Sequence, residues 1–225
     1  GNINAKYNVY NDYNRYLTNV FHCAKNNRSE FIKQLKSYKP QLRNLFEKFH
    51  NELVPLTYDV ELGDVETASK YMYIETQTFS GLTIEKAKFV DLKGIYKSKY
   101  EQFIDKLENP KYTNKIDNIT NIENLSYADC IKKYDSKYTF FYCDPPYFNM
   151  EDYYTKEFGH DEHLKLSETL KSIKGKFALS YYDFPLLSKW FPKSKYNWQE
   201  KAFNRQNSSK KVGTAKGKEI LILNY

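Results

Sequence analysis

The stretch Phe140-Phe141-Tyr142-Cys143-Asp144-Pro145-Pro146-Tyr147 joins an apolar run to an acid, two prolines and an aromatic ring. Such a run predicts a buried strand with Asp144 at its carboxyl end, where open α/β sheets bind ligands. Prolines at 145 and 146 fix the turn and remove two backbone N–H donors, leaving carbonyl oxygens as acceptors. A carboxylate, a rigid row of carbonyls and a flat ring are the parts that hold the exocyclic amine of a planar base. The competing reading is a Pro-Pro turn after a core strand, with Tyr147 as surface packing. The apolar strand directly ahead of the acid moves the balance towards chemistry.

Other reactive residue types are read more plainly. His160-Asp161-Glu162-His163 offers two imidazoles beside two acids, but no third and fourth metal ligand is evident. Acids in the first turn of a helix explain the same letters, so no metal is expected. Cys143 lacks an adjacent basic partner and reads as a small buried residue. Tyr153, Tyr154 and Phe158 read as a loop packed on the sheet, with lining of a base pocket as the alternative. Arg205-Gln206-Asn207-Ser208-Ser209-Lys210-Lys211 mixes cationic, amide and hydroxyl side chains, suited to phosphate contacts. A solvated basic surface is the other reading.

The elements that must position these residues follow from periodicity. Lys6–Tyr10 alternates like a short strand and runs into a polar turn at Asn11-Asp12. Helices are predicted over Asn14–Lys25, from a Ser29 cap to near Pro40, and over Gln41–Leu53, Asp64–Thr78 and Tyr96–Leu107. After about residue 115 strands are predicted at Ile116–Leu125, Tyr138–Cys143 and Lys176–Tyr181, with helices at Asp129–Tyr134 and His160–Ile173 between them. Asp183 with Pro185 predicts a further helix start. Ala202–Arg205 and Glu219–Asn224 predict two strands joined by a basic loop. Strands alternating with helices predict an α/β fold with a mainly parallel sheet and a helical insertion ahead of its second half.

Composition bounds the reading. The chain has 225 residues, 40% hydrophobic and 28% charged, within the range of folded globular chains. Its longest apolar runs are too short for a transmembrane helix, and Gly1–Tyr10 is too polar for a secretory signal. The three cysteines stand singly, which argues against a disulfide framework and for a reducing compartment. A formal charge of +7 favours a polyanionic partner, although weakly at this size. The 22 Tyr and 15 Phe could stack on unpaired bases, or could reflect AT-rich codon usage.

Asp144-Pro145-Pro146-Tyr147 resembles the DPPY motif of S-adenosylmethionine-dependent DNA adenine-N6 methyltransferases of the Dam-like class. Further segments match in order. Val9-Tyr10-Asn11-Asp12-Tyr13-Asn14, with Leu17 and Asn19, resembles the segment after that class's second strand. Leu125–Ile131 resembles the acidic segment before the DPPY strand. Phe177–Asp183 with Trp190-Phe191 resembles the later strand and helix, and Phe203–Lys211 with Gly217–Tyr225 the terminal hairpin.

The resemblance implies a Rossmann-like methyltransferase sheet with a mostly helical target-recognition insertion. The core would be residues 1–29 and 116–225, and the insertion 30–115. It implies that Asp144 and the Pro145 carbonyl accept hydrogen bonds from the target amine, with Pro146 completing the turn. Tyr147 would stack on an adenine flipped out of double-stranded DNA. Asp12 would accept from the ribose hydroxyls of S-adenosylmethionine, Asp129 would contact its adenine, and Asp144 would also border the cofactor. An Asx turn or helix cap remains the alternative for Asp12, and a solvated helix-start acid for Asp129. Arg205, Asn207, Ser208, Lys210 and Lys211 would contact DNA. A cytoplasmic protein of bacterial or phage type is expected, without membrane association.

Two departures from the pattern stand out. The class carries a glycine-rich F-x-G-x-G loop on its first strand. None is present, so the expected source is a segment upstream of Gly1 or a second chain. Thr78-Phe79-Ser80-Gly81-Leu82 keeps the aromatic and glycine of the class's hairpin but not its basic residue. The alternative function is therefore a DNA-binding module with a degenerate, inactive cofactor site. Methylation of RNA or of protein glutamine ranks lower, because the related glutamine enzymes carry Asn at the position of Asp144.

Overall fold

The computed structural model describes residues 5–56, 59–78, 83–91, 98–148, 158–204 and 216–225. The chain divides into two compact units, Gly1–Tyr127 and Ala128–Tyr225.

The first unit is mostly helical. Strand β1 (Val9–Asn11) leads into α1 (Arg15–Asn26), followed by α2 (Arg28–Ser37), α3 (Arg43–Leu53), α4 (Val65–Glu75), α5 (Lys99–Glu108) and α6 (Pro110–Asp117). Strand β2 (Asn121–Glu123) returns to pair with β1 in parallel, Val9 opposite Asn121 and Asn11 opposite Glu123. The Asn11 side chain extends that ladder by one rung, accepting from the Leu125 N–H and donating to its carbonyl. Helix α4 packs against α1, α2 and α3 over a core that includes Val20, Phe31, Leu35, Phe49 and Ile74.

Tyrosines do much of the work in that core. Tyr16 donates to the Leu53 carbonyl at 2.6 Å, Tyr100 to Leu35 at 2.8 Å and Tyr73 to Lys39 at 2.8 Å. Those carbonyls lie at or just beyond the ends of α2 and α3, where a helix leaves acceptors unpaired. A buried ring thus contributes apolar area and a hydroxyl for a carbonyl that water cannot reach.

Caps correct several sequence expectations. Asn14, Asp64 and Ser98 each accept from a backbone N–H three residues on, and Ser98 with Glu101 forms a complete capping box. Ser29 does not cap α2, which starts at Arg28 behind Asn27. Gln41 is not helical. It holds a φ of 63°, and α3 begins at Arg43. Asn109 closes α5 as its C-cap and at once caps α6, with Pro110 at the first position of that further helix. Proline lacks only an N–H that a first turn leaves free anyway. The strand expected over Ile116–Leu125 shrinks accordingly to β2.

The second unit contains α7 (Tyr127–Tyr134, whose first residue belongs to the first unit), β3 (Phe140–Cys143), α8 (His160–Ser172), β4 (Lys176–Tyr182), α9 (Leu187–Trp190), β5 (Asn197–Asn204) and β6 (Lys216–Leu223). The strand order is β3-β4-β6-β5. The β3–β4 pairing is parallel, Cys143 opposite Leu179, while β6 runs antiparallel to both β4 and β5. The sheet is therefore mixed rather than mainly parallel, because the closing hairpin reverses direction. Asp183 with Pro185 does not start a helix directly; α9 begins at Leu187 behind Leu186. Phe177, Leu179 and Tyr181 on β4 are buried, as are Ala178 and Ser180 between them, so β4 is covered on both faces.

Entry to β4 is tight at Gly175. A Cβ there would meet the Thr139 carbonyl oxygen at 2.7 Å and that of Ser136 at 3.0 Å. The Gly175 N–H also donates to Asp135, whose carboxylate accepts from Lys174 as well. Backbone oxygens cannot swing aside, so Gly175→Ala is expected to lower stability by about 2 kcal/mol. A thermal melt lower by several degrees would show it, and an unchanged melt would refute the crowding.

Among the described residues no helix is long and apolar enough to cross a membrane.

Candidate active site

In the second unit, β3 delivers Asp144 at its carboxyl end as expected, but the strand is not the buried one predicted: it stands at the end of the strand order, with Tyr142 exposed and Phe140, Phe141 and Cys143 half-buried. The parallel register sets β4 beside it, so that Ser180 to Tyr182 follow at the same edge. Antiparallel β6 brings Glu219 opposite Tyr182. The carboxyl ends of β3 and β4 thus meet the start of β6, the edge at which open α/β sheets place ligands.

The motif's side chains are held by their neighbours. The Tyr147 ring stacks on Tyr182 at 4.0 Å between centroids, 22° from parallel. Its hydroxyl bonds to Asp144 and to Ser180. Pro145 and Pro146 are half-buried between them. Phe148, the next residue, stacks on Phe184 at 4.4 Å and touches His163 at 5.3 Å and Trp190 at 6.2 Å. This aromatic cluster anchors the segment that leaves the motif. Behind it His163 is buried, its Nδ1 sharing a 2.7 Å hydrogen bond with the Tyr181 hydroxyl. His163 is therefore a core histidine. Among the described residues no group of three or more His, Cys, Asp or Glu could hold a metal.

Electrostatics at this edge favour the neutral forms. Asp144 is solvent-exposed but ringed by protein, and its carboxyl is raised above the usual range. Desolvation contributes most and the Glu219 charge adds to it, while the bond from Tyr147 opposes both. Burial, with smaller contributions from Asp144 and Glu219, pushes the Tyr147 phenol up to about 12. Cys143 is pushed up to about 12, chiefly by burial, and so is a poor nucleophile. Ser180, Tyr182 and Glu219 are the site residues that sequence reasoning missed. No local pattern marks them, since they come to this edge only through the pairing of β4 with β3 and of β6 with β4.

In the first unit, Asp12 follows β1 directly. Its carboxylate accepts from the Asn14 N–H at 2.8 Å and from the Tyr10 hydroxyl at 3.1 Å. The first contact is an Asx turn, one of the two readings of this segment. The Asp12 carbonyl accepts from the Asn124 amide at 2.8 Å, which ties the turn to the end of β2. Burial raises the Asp12 carboxyl, and its two hydrogen bonds oppose the shift. Asp129, in the second unit, is an exposed acid in the first turn of α7. Arg205, Asn207, Ser208, Lys210 and Lys211 lie outside the described residues, as do Phe79–Leu82, Tyr153 and Tyr154. Phe158 packs edge-on against His163 at 4.8 Å, in keeping with a loop folded onto the unit.

The first unit also holds an open cleft of about 560 Å³ between α3 and residues 87–89. Arg43, Glu47, His50, Asn51 and Lys88 line it; the Arg43 guanidinium sits 4.9 Å over the Phe89 ring and 3.7 Å from the Glu47 carboxylate.

An acid and a stacked tyrosine at the edge of a mixed sheet suit a planar amine. A search of curated proteins gives no match. The family model for the D12 class N6 adenine-specific DNA methyltransferase matches residues 2–207, nearly the whole chain. The chain belongs to the D12 class of N6 adenine-specific DNA methyltransferases.

Proposed function

We propose that this protein moves a methyl group from S-adenosylmethionine to the N6 amine of an adenine flipped out of double-stranded DNA. The observation that supports this most is Asp144 beside the Tyr147–Tyr182 stack at the carboxyl edge of β3 and β4. Tyr182 covers one face of the Tyr147 ring, and the opposite face receives the base. Asp144 and the Pro145 carbonyl accept the two amine hydrogens, which turns the nitrogen lone pair away from them and towards the methyl donor. The nitrogen–methyl bond forms as the methyl–sulfur bond breaks, and that electron pair stays on sulfur. The nitrogen then sheds one proton, for which Asp144 is the nearest acceptor.

The donor supplies an electrophilic methyl on a cationic sulfur. On this chain Asp12 would hold its ribose hydroxyls, for which a carboxylate after a strand is suited, and Asp129 its adenine. The Asx turn does not compete with that role, since each carboxylate oxygen has a second lone pair. Residues 30–115 serve as the target-recognition insertion, and the Arg43–Phe89 cleft offers it a cation, an amide and a ring for DNA. The basic segment Arg205–Lys211 contributes phosphate contacts.

The test is transfer of labelled methyl to unmethylated DNA, followed by digestion to nucleosides. Label in N6-methyladenine supports the reading. DNA binding without transfer or cofactor binding would instead mark a DNA-binding module with an inactive cofactor site.

A further inference from the structure

Helices α1 and α4 run antiparallel. Asn19 on α1 bonds to the Gly63 N–H at 2.7 Å and to the Asp64 carbonyl at 2.8 Å, at the start of α4. Further along, Tyr16 stacks on Tyr71 at 5.2 Å and the Asn14 amide donates to the Tyr71 hydroxyl at 3.2 Å. The next turn of α4 carries Glu75, so this acid lies beyond the first turn of α1, towards the Asp12 turn. Its carboxylate accepts from the Tyr71 hydroxyl, and its Oε1 is buried with no hydrogen-bond partner. An ionisable group placed there is costly unless it does something.

The bonds meet at Asn14, which donates its backbone N–H to Asp12 and, through a separate group, its side-chain amide to Tyr71; Tyr71 in turn donates to Glu75. Donation to Glu75 makes the Tyr71 oxygen a better acceptor for the Asn14 amide, and the step from Asn14 to Asp12 is one of position only. An ionised Glu75 therefore tightens Tyr71 on Asn14, and Asn14 fixes the turn that aims the Asp12 carboxylate.

We propose that Glu75 is a positioning residue for the Asp12 site, acting through Tyr71 and Asn14 on the carboxylate that holds the ribose of the methyl donor. The ribose role is the reading given above, on which this inference rests. Burial lifts the Glu75 carboxyl to about 7, against the pull of the Tyr71 bond. The helices packed against α4 also carry His22 and Lys25 on α1, Glu30 and Lys33 on α2, and Arg43, Glu47, Lys48 and His50 on α3, and several of their charged groups are committed elsewhere. Arg15 of α1 binds the Val60 carbonyl and Glu52 of α3 binds Lys70. On α2, Arg28 binds Asp117, Lys36 binds Glu108, and Tyr38 accepts from Gln34. Tyr10 donates to Asp12 itself.

The experiment is calorimetric titration with S-adenosylhomocysteine at pH 6 and pH 8, with amide exchange at Asn14 followed in the free protein. Wild type, Glu75→Gln, Tyr71→Phe and the double variant are compared. Glu75→Gln keeps the side-chain shape, so the fold is retained. Affinity in the wild type is expected to rise about fivefold from pH 6 to pH 8, as Glu75 ionises. In Glu75→Gln that rise flattens to whatever Asp12 alone contributes, at the weaker level. Tyr71→Phe behaves alike, and the double variant is no weaker than either single one. Exchange at Asn14 quickens several-fold in each variant.

Wild-type affinity and slope in Glu75→Gln, with unchanged exchange at Asn14, would overturn the proposal. If S-adenosylhomocysteine fails to bind while Asn14 exchange still responds, the ribose reading fails and the relay stands.

Discussion

Asp144→Ala is expected to lower methyl transfer about a thousandfold while leaving DNA affinity within several-fold. On the proposed mechanism the carboxylate acts on a nitrogen whose charge grows only as the methyl arrives, so its loss should appear in kcat far more than in binding. Asp144→Asn keeps one acceptor oxygen and should retain more activity than Ala. The pH profile carries a second signature. Because burial and Glu219 raise the Asp144 carboxyl, the acid limb of kcat/KM should lie above the ordinary aspartate range near 4. Below that limb the group is protonated and the acceptor is lost; the limb should be absent in Asp144→Asn. Wild-type turnover in Asp144→Ala would remove Asp144 from the mechanism altogether.

Tyr73→Ala should produce the largest loss of stability in the helical unit. The side chain is fully buried and meets Tyr38, Phe49 and Tyr100 edge-on. Its hydroxyl donates to the Lys39 carbonyl at 2.8 Å and accepts from the Leu42 N–H at 3.2 Å, bridging the end of α2 to the start of α3. Removing the ring should cost about 4 kcal/mol, or roughly 10 °C in melting temperature for a chain of this size. Tyr73→Phe separates the contributions. It keeps the ring and strands the Lys39 and Leu42 backbone groups, for about 1–3 kcal/mol. Equal melts for the two variants would mean that the ring contributes little and the hydroxyl accounts for the whole effect.

How much of this was legible beforehand depends on distance along the chain. Phe140–Tyr147 could be read because its pattern is local: an apolar run, an acid and two prolines define a strand end without reference to anything else. Asp12 was equally visible, and the structure supplies its Asx turn. Ser180, Tyr182 and Glu219 were not visible, since they reach the Asp144–Tyr147 segment only through strand pairings that no local pattern specifies. Helix α6 went unread for a related reason, because a proline that follows the end of one helix also suits the first position of the next. Asn109 serves both, closing α5 and capping α6. Tyrosine content was read as base stacking or codon usage, and the core shows another use at Tyr16, Tyr73 and Tyr100. Glu75 gave no signal at all, since one acid in a helical stripe resembles any solvated residue until its burial is known.

The chain contains two tryptophans, and they sit in very different surroundings. Trp190 is buried in the ring cluster that anchors Phe148, one residue beyond Tyr147. Trp198 donates its indole N–H to the Phe191 carbonyl at 3.0 Å and lies under the Lys193 ammonium. A Trp198→Phe protein would therefore emit from Trp190 alone. If Tyr147 receives the base as proposed, occupancy is expected to disturb the adjoining Phe148 and its contact with that indole, and to register as a change in ultraviolet fluorescence. On the proposed reading the protein carries its own optical gauge of base capture, readable without label on either protein or DNA.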